Sequence, residues 1–361
     1  MKKVLAWVLC LMLTLGMVSV ASAEFAPVNK DDLKVGFVFI GDVSDKGYTY
    51  AHYQGLLDMQ QNLGLSDDQI LIKTNVSEDS SCETALRELV EAGCQIIFGN
   101  SYGYMNYMAE LADEYPEVIF SHCSGYMSND TNFNNYFGAI YQARYLAGIA
   151  AGLKTQTNKI GFVAAMQTPE VIGGFDAFAL GVQSVNPDAV VYVKYTNSWY
   201  DATLERQTAD ALLDLGCDVI GQHCDTANPQ IAAQERGVWG CGYNADMTVD
   251  APKAHLTAPV WHWGAVYTKE VQEVLDGTWK PEKIFLTMAD GLVDLSPLSE
   301  NCAEGTAEAI EAARAKIVSG EFDVFEGPLY DNQGNQILDE NSCFVSDIAN
   351  TSAKAGEKIT P

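Results

Sequence analysis

The chain has 361 residues, 48% of them hydrophobic, so it is long enough for two domains with separate cores and too apolar for a disordered protein. Its 48 acidic residues against 21 basic ones give a formal charge of −27. Nucleic acid and anionic lipid headgroups are poor partners for such a chain, and we expect no nucleic-acid partner.

The first 23 residues have the pattern of a secretory signal peptide. Lys2 and Lys3 precede an apolar run from Val4 to about Val20, and Ala21-Ser22-Ala23 supplies the small residues of a cleavage site. No later stretch approaches the ~20 apolar residues of a membrane span. Cys10 lies inside the apolar run rather than after a cleavage site, so we expect no lipoprotein anchor. The pattern predicts an exported protein, periplasmic or extracellular.

Eight cysteines follow the predicted signal peptide, and export permits disulfides. Cys82 and Cys94 flank a predicted helix of about eleven residues that separates them by ~16 Å, beyond disulfide reach. Cys302 and Cys343 lie in a less regular region and are the favoured pair. No CxxC pair or Cys/His cluster has zinc spacing, so we expect neither a metal nor a cofactor.

Apolar runs rich in Val, Ile and Phe alternate with segments of helical periodicity. The predicted strands are 35–40, 69–74, 95–99, 117–121, 159–165, 189–195, 218–221, 237–242 and 256–261. The clearest predicted helices are 50–63, 82–91, 102–114 and 203–215. Short, continuously apolar strands that alternate with helices indicate an α/β fold with parallel sheets covered by helices on both faces.

The alternating pattern restarts once, which predicts two α/β lobes. Residues 34–140 form the predicted first lobe, and a new series of strands and helices begins within 141–261, the predicted second lobe. The segment 262–280 is a candidate to return to the first lobe. The lobe to which 281–361 belongs stays open.

Open parallel sheets bind ligands outside the carboxyl ends of their strands, so the loops that follow the predicted strands are the candidate site. Aromatic, amide and carboxylate side chains recur in these loops in both predicted lobes. The candidate ligand-binding residues are Asp45, Tyr48, Ser101, Tyr102, Asn197, Trp199, Asp225, Asn244, Asp246 and Trp263.

This set of side chains suits a flat, neutral ligand that forms hydrogen bonds. Aromatic rings stack on a planar heterocycle with ~1–3 kcal/mol per base, and Asp and Asn bond its ring nitrogens and amines. The shortage of Lys and Arg favours a nucleobase or nucleoside over a nucleotide. The alternatives are structural: Asp45 is equally suited to capping a helix, Asn244 and Asp246 to forming a turn, and Tyr48 to packing in the core.

Five ordered motifs resemble the basic membrane protein family of ABC-transporter substrate-binding proteins. They are Gly-Asp-Val-Ser-Asp-Lys-Gly-Tyr-Thr-Tyr-Ala-His from Gly41, Tyr-Phe-Gly-Ala-Ile-Tyr-Gln-Ala-Arg-Tyr-Leu-Ala-Gly from Tyr136, Thr-Asn-Ser-Trp-Tyr-Asp from Thr196, Gly-Tyr-Asn-Ala-Asp-Met from Gly242 and Val-Leu-Asp-Gly-Thr-Trp-Lys from Val274. The resemblance covers roughly residues 34–330. It implies a two-lobed periplasmic-binding-protein fold of type I that captures purine bases or nucleosides for a membrane permease.

The resemblance also implies roles for the loop residues. Tyr48 and Trp199 would stack on the two faces of the base. The first-lobe side of the ligand would be faced by Asp45, Ser101 and Tyr102, and the opposite side by Asn244 and Asp246. We expect a monomer that closes its lobes over a small-molecule purine ligand and is then recognised by the ABC permease.

The chain departs from the family pattern at two places. Nucleoside-binding relatives tend to have a lysine after the strand that ends near Trp261, where this chain has Trp263, so a free base such as adenine is favoured over a nucleoside. The absence of a lipoprotein cysteine favours a freely diffusing periplasmic receptor in a cell with two membranes.

Other functions are compatible with parts of the sequence. Gly99-Asn100-Ser101-Tyr102-Gly103 matches the G-x-S-x-G motif of serine hydrolases, although no histidine with an orienting acid is evident. His223 and Cys224 would point to opposite faces of a strand, which argues against a thiol nucleophile. A ligand sensor or a sugar receptor would use the same fold.

Overall fold

The chain folds around two parallel β-sheets. In the computed structural model, the described residues are 25–340, together with the backbone of 344–345 and 354–355. The first sheet has six strands in the order β12-β5-β4-β3-β1-β2. Its strands are β1 (Val35–Val38), β2 (Ile70–Lys73), β3 (Ile96–Gly99), β4 (Ile119–Cys123), β5 (Phe133–Gly138) and β12 (Lys283–Leu286). We call this sheet and the helices packed on it the first lobe.

The second sheet has five strands in the order β10-β9-β8-β6-β7, and we call it and its helices the second lobe. Its strands are β6 (Lys159–Ala164), β7 (Val190–Tyr195), β8 (Val219–His223), β9 (Trp239–Cys241) and β10 (His255–Thr257). The remaining strands form antiparallel pairs: β11 (Pro259–Trp261) with β13 (Val293–Leu295), β14 (Leu329–Tyr330) with β15 (Gln336–Leu338), and β16 (Phe344–Val345) with β17 (Lys354–Ala355).

Nine α-helices are described. They are α1 (Tyr48–Leu63), α2 (Ser80–Glu91), α3 (Met105–Glu114), α4 (Ile140–Lys154), α5 (Pro169–Val185), α6 (Ala202–Asp214), α7 (Asn228–Glu235), α8 (Gly264–Asp276) and α9 (Thr306–Val318). β1, β3, β4, β5 and β8 are buried along their whole length because helices cover both faces of the sheets. This α/β architecture confirms the predicted fold class.

The predicted strand 256–261 is wrong as a single element. β10 pairs in the second sheet, whereas β11 pairs antiparallel to β13 outside both large sheets. At the break, the backbone N–H of Ala258 donates to Ser296 Oγ at 2.9 Å. The chain therefore leaves the second lobe here, and an apolar run gives no signal of such a change of partner.

α8 and β12 lie in the first lobe although they follow the second in sequence. β12 pairs parallel to β5 at the edge of the first sheet. Tyr267 of α8 is buried in the first core, with its hydroxyl oxygen 2.6 Å from His52 Nδ1 of α1. The residue boundaries of the lobes near 140, 261 and 281 stay a prediction.

Two of the sequence-based expectations fall on residues outside the described part of the chain. They are the signal peptide at 1–23 and the pairing of Cys302 with Cys343, since Cys343 is not described. Cys82 and Cys94 are buried free thiols. Among residues 25–340, no helix combines the length and apolarity that crossing a bilayer requires.

Candidate functional site

Loops at the carboxyl ends of the strands of the two lobes meet each other. The first-lobe loop between β1 and α1 contacts the second lobe at two places. Lys46 Nζ lies 2.6 Å from Asp250 Oδ1. Gly47 packs so tightly on Asp225 that a Cβ at Gly47 would lie 2.2 Å from the Asp225 carbonyl oxygen. The lobes thus touch at the carboxyl ends of their strands, the position expected for a ligand in this architecture, and we call the region between these loops the cleft.

Asp45 caps the start of α1. Its carboxylate accepts hydrogen bonds from the backbone N–H groups of Gly47 at 2.8 Å, Thr49 at 3.0 Å and Tyr50 at 2.9 Å. Burial raises the pKa of Asp45 against the effect of these donors. The capping alternative therefore describes what Asp45 does here, and a ligand contact stays a prediction.

Tyr48 stands at the cleft with its hydroxyl anchored and its ring half-buried. The hydroxyl donates to the Asn100 carbonyl oxygen at 2.6 Å, at the end of β3. The ring packs edge-on against His52, with centroids 4.5 Å apart. Burial raises the pKa of Tyr48 well above its usual value, and Cys123 and Tyr243 add to the rise.

Ser101 and Tyr102 follow β3 but do not share an environment. Ser101 Oγ donates to Glu78 Oε1 at 2.6 Å, and its backbone is extended with φ −117° and ψ 143°. His122 Nε2 lies 2.7 Å from the Ser101 carbonyl oxygen rather than at the hydroxyl. Tyr102 is 51% exposed beside Tyr126. The motif thus lacks both the strained turn and the serine–histidine contact of a hydrolase nucleophile.

The second lobe contributes a row of aromatic rings. Trp199, half-buried after β7, has its ring centroid 6.2 Å from that of His223, and His223 is 4.6 Å from Tyr243. Asn197, in contrast, is exposed and adopts φ 55°, as expected of a turn residue. Of this predicted pair, only Trp199 joins the row.

Asp225 and Asn244 form a hydrogen-bonded pair beneath the interface between the lobes. Asn244 Nδ2 donates to Asp225 Oδ1 at 2.8 Å, and the backbone N–H of Tyr48 also bonds Asp225. Burial raises the pKa of Asp225 well above its usual value, and the nearby carboxylates of Asp45 and Glu205 add to the rise. Both predicted residues therefore lie together with Tyr48.

Asp246 and Trp263 lie elsewhere. Asp246 is exposed and accepts hydrogen bonds from Thr248 N at 2.9 Å and Thr248 Oγ1 at 2.5 Å, which is turn chemistry. Trp263 is 0% exposed and stacks between His52 and Trp261, with centroids 4.4 Å away on each side. A ligand contact of either residue stays a prediction.

Four residues near the cleft were missed as candidates. Arg144, Glu170, His223 and Tyr243 cluster on the second lobe, with His223 Nε2 3.2 Å from Glu170 Oε2. Glu170 follows β6, so the rule about strand ends would have found it. Arg144 lies in the interior of α4 and belongs to the motif that begins at Tyr136, but the rule about strand ends does not reach it. Within residues 25–340, no group of three or more His, Cys, Asp or Glu side chains is arranged to hold a metal ion.

Comparisons with known proteins found relatives that match most of the chain. The purine-binding protein BAB2_0673 of Brucella abortus is 37% identical over 309 residues, which cover 86% of this chain and 87% of that protein. The putative ABC transporter glucose-binding protein TsgA13 of Haloferax volcanii is 32% identical, covering 89% of this chain and 82% of that protein. A solute-binding protein of an ABC transporter from Aeropyrum pernix has a TM-score of 0.71 at 19% identity, covering 83% and 95% of the two chains, which shows a shared fold.

The model of one protein family matches most of the chain. Residues 32–326 match the Bmp family, described as ABC transporter substrate-binding protein PnrA-like. The match covers every strand of the two large sheets and the loops at the cleft. The chain therefore belongs to the Bmp family of PnrA-like ABC transporter substrate-binding proteins.

Proposed function

We propose that this protein captures a purine base, adenine-like, or a purine nucleoside outside the cytoplasm and delivers it to an ABC permease. The supporting observation is that aromatic and hydrogen-bonding side chains of both lobes meet in the cleft. Tyr48 stands on the first lobe, and Trp199, Asp225 and Asn244 stand on the second. Rings on both sides suit a planar heterocycle, and the polar pair suits its N–H groups.

Binding proceeds by hinge closure in this proposal. Ligand docks on one lobe, the other lobe closes over it, and the permease recognises the closed form. The contacts of Lys46 with Asp250 and of Gly47 with Asp225 are those of lobes that have come together. A monomer is sufficient for this cycle, since both sides of the cleft come from one chain.

The names of relatives support a purine and also leave a second candidate. One relative is named purine-binding at 37% identity, and another is named glucose-binding at 32%. Aromatic rings stack on sugars as well as on bases. A sugar is therefore the second candidate, and the first experiment must include one.

The proposed role is binding rather than catalysis. The Ser101 hydroxyl donates to Glu78, and His122 Nε2 faces the Ser101 backbone carbonyl oxygen rather than the hydroxyl. A nucleophile requires a base within reach of its hydroxyl proton. This environment supports a structural role for the G-x-S-x-G segment.

The test is isothermal titration of refolded, ligand-stripped protein with adenine, guanine, hypoxanthine, adenosine, guanosine and glucose. We expect tight binding of a free base, in line with Trp263 standing where relatives tend to have lysine. Trp199→Ala should weaken that binding strongly, whereas Tyr200→Ala, which removes the neighbouring exposed ring, should not. Preference for nucleosides would show that Trp263 in place of lysine does not select a free base. Binding of glucose alone would replace the proposal of a purine ligand with that of a sugar ligand.

A further inference from the structure

A charged cluster in the second lobe borders the cleft and has no role in the site as described so far. It joins Arg144 of α4, Glu170 of α5, His223 at the end of β8 and Tyr243 after β9. Arg144 is 1% exposed, and its guanidinium carbon lies 3.7 Å from the ring centroid of Tyr243. Arg144 Nη1 also donates to the Gln222 carbonyl oxygen. The guanidinium is thus covered by the protein, not presented to the cleft.

The protonation of the Glu170–His223 pair follows from its surroundings. Burial lowers the pKa of His223 and Arg144 lowers it further, while Glu170 opposes them, so the imidazole is neutral near pH 7. Burial favours a higher pKa for Glu170, but His223 and Arg144 outweigh it and the pKa lies below its usual value. Since His223 Nε2 faces Glu170 Oε2 at 3.2 Å, this nitrogen carries the proton and donates to the carboxylate.

The second carboxylate oxygen of Glu170 has no such donor. Glu170 Oε1 is shielded from solvent and has no hydrogen-bond partner among the described residues, although the side chain as a whole is 15% exposed. Glu170 also adds to the burial-driven rise in the pKa of Cys123 in the first lobe. A buried ionised oxygen without a donor is destabilising, because its lost hydration is not replaced.

Asn244 Oδ1 is a second acceptor of the same kind. It is buried and has no hydrogen-bond partner among the residues described, while Asn244 Nδ2 is already committed to Asp225. Glu170 Oε1 and Asn244 Oδ1 are therefore two acceptors of the second lobe that lack an N–H donor among the described residues. An exocyclic amine offers two N–H groups, whereas an oxo group in its place offers only lone pairs, which a carboxylate repels.

We propose that Glu170 Oε1 accepts an N–H of the exocyclic amine of the ligand, so that the site selects an amino-purine such as adenine over its oxo counterpart hypoxanthine. This inference rests on the proposed purine-binding function. Glu170 is then the specificity-determining residue of the cleft, and His223 is its positioning residue. Arg144 keeps the carboxylate ionised from beneath Tyr243.

The substitution Glu170→Gln tests this role by changing an acceptor into a donor. The amide oxygen accepts from His223 Nε2–H, which places the amide NH₂ where Oε1 stood. That group opposes an amine and donates to an oxo oxygen. Titration of wild type with adenine and hypoxanthine should show a preference for adenine of about tenfold or more, the range expected when a polar group loses its partner. In Glu170→Gln the ratio should fall by about tenfold or more, with adenine weakened and hypoxanthine strengthened.

Glu270→Gln is the matched control, because it is the same change at a buried glutamate whose partners are Ser121, Asn134 and Trp279 of the first lobe. It should leave the ratio unchanged. Glu170→Ala removes the acceptor without adding a donor, so it should bring the ratio of adenine to hypoxanthine affinity toward one. This variant replaces Glu170→Gln in the test if Glu170→Gln does not fold. A ratio unchanged in both Glu170 variants, or equal weakening of both bases, overturns the specificity role alone. Failure of wild type to bind any purine overturns the proposed function and this inference with it.

Discussion

Gly47 brings the first lobe against the backbone of the second, so replacing it by alanine perturbs lobe closure through one methyl group. The added Cβ would lie 2.2 Å from the carbonyl oxygen of Asp225 and 2.9 Å from its carbonyl carbon and Cα. These separations are about 1 Å short of ordinary contact. All three atoms belong to the backbone, so no side-chain rotation relieves the clash, and the lobes must separate locally.

The expected loss of affinity follows from the cost of that separation. Overpacking at a well-packed contact costs about 1–3 kcal/mol. If the cost falls on the closed form alone, adenine binding weakens by about 5- to 150-fold, since 1.4 kcal/mol corresponds to a factor of ten. The separated form has no such contact, so the thermal midpoint of the ligand-free variant should stay close to that of wild type.

Isothermal titration with adenine measures the loss, and small-angle X-ray scattering with and without adenine measures closure. Gly173→Ala in α5 is the control, because its added Cβ would have a single neighbouring atom, at 3.9 Å. Wild type and Gly173→Ala should become more compact with adenine, and Gly47→Ala should do so less. Adenine affinity within about twofold of wild type in Gly47→Ala would refute the view that this contact belongs to the ligand-bound form.

Three further predictions concern the cleft and the core. Tyr48→Ala should weaken adenine binding by about 5- to 150-fold, because stacking on the ring is lost. Tyr48→Phe keeps the ring and should bind adenine nearly as wild type does. Equal losses of affinity in the two variants would show that the hydroxyl matters instead. Lys46→Met breaks the ion pair with Asp250, but the Lys46 side chain is 57% exposed, so the affinity for adenine should fall less than about fivefold. The difference in affinity between the variant and wild type should disappear near 1 M salt. A loss of affinity that does not depend on salt would contradict an electrostatic role. Burial raises the pKa of Glu270 to about 7 against the opposing effect of its donors, above the value near 4.5 of an exposed glutamate. The folded state therefore binds the extra proton, and the contribution of Glu270 to stability is greatest below about pH 4.5 and declines as pH rises through about 7. Urea unfolding at pH 5, 6 and 8 should show a decline on the order of 2–3 kcal/mol that Glu270→Gln removes, and parallel curves for the two proteins would disprove this assignment.

The strands that the sequence predicts best are those with two covered faces. β1 and β3 fall inside the predicted runs 35–40 and 95–99 because a strand buried on both sides must be apolar throughout. The break between β10 and β11 has no such signal, since both halves are buried. Which sheet a buried strand joins depends on partners far away in sequence, such as β13 and Ser296.

The candidate site was partly predictable for a related reason. Carboxyl ends of parallel strands share one edge, so loops after different strands were expected to meet, and Tyr48, Asp225 and Asn244 do. Whether a loop side chain points into the cleft is a different matter. Tyr102 follows the same strand as Ser101 and lies at the surface, where its partner is Tyr126.

Trp263 is a second residue whose position the sequence did not predict, because it is buried in the core. Gly55 of α1 packs on it so closely that a Cβ there would lie 2.6 Å from Trp263 Cβ. The ring itself is covered by His52 and Trp261. The surroundings of Glu170 and Arg144 likewise depend on distant residues. Glu170 contacts His223 and Arg144 contacts Tyr243, and both partners lie more than fifty residues away along the chain.

By itself, the sequence determined the two-lobed α/β class, the family and the loops that border the cleft, because periodicity, burial on two faces and ordered motifs are local properties of the chain. Only the tertiary structure decided which of the loop side chains line the cleft, which cap helices or turns, and which charged groups support them. Side-chain direction, burial and pKa depend on neighbours that folding brings together, and no local pattern records those neighbours.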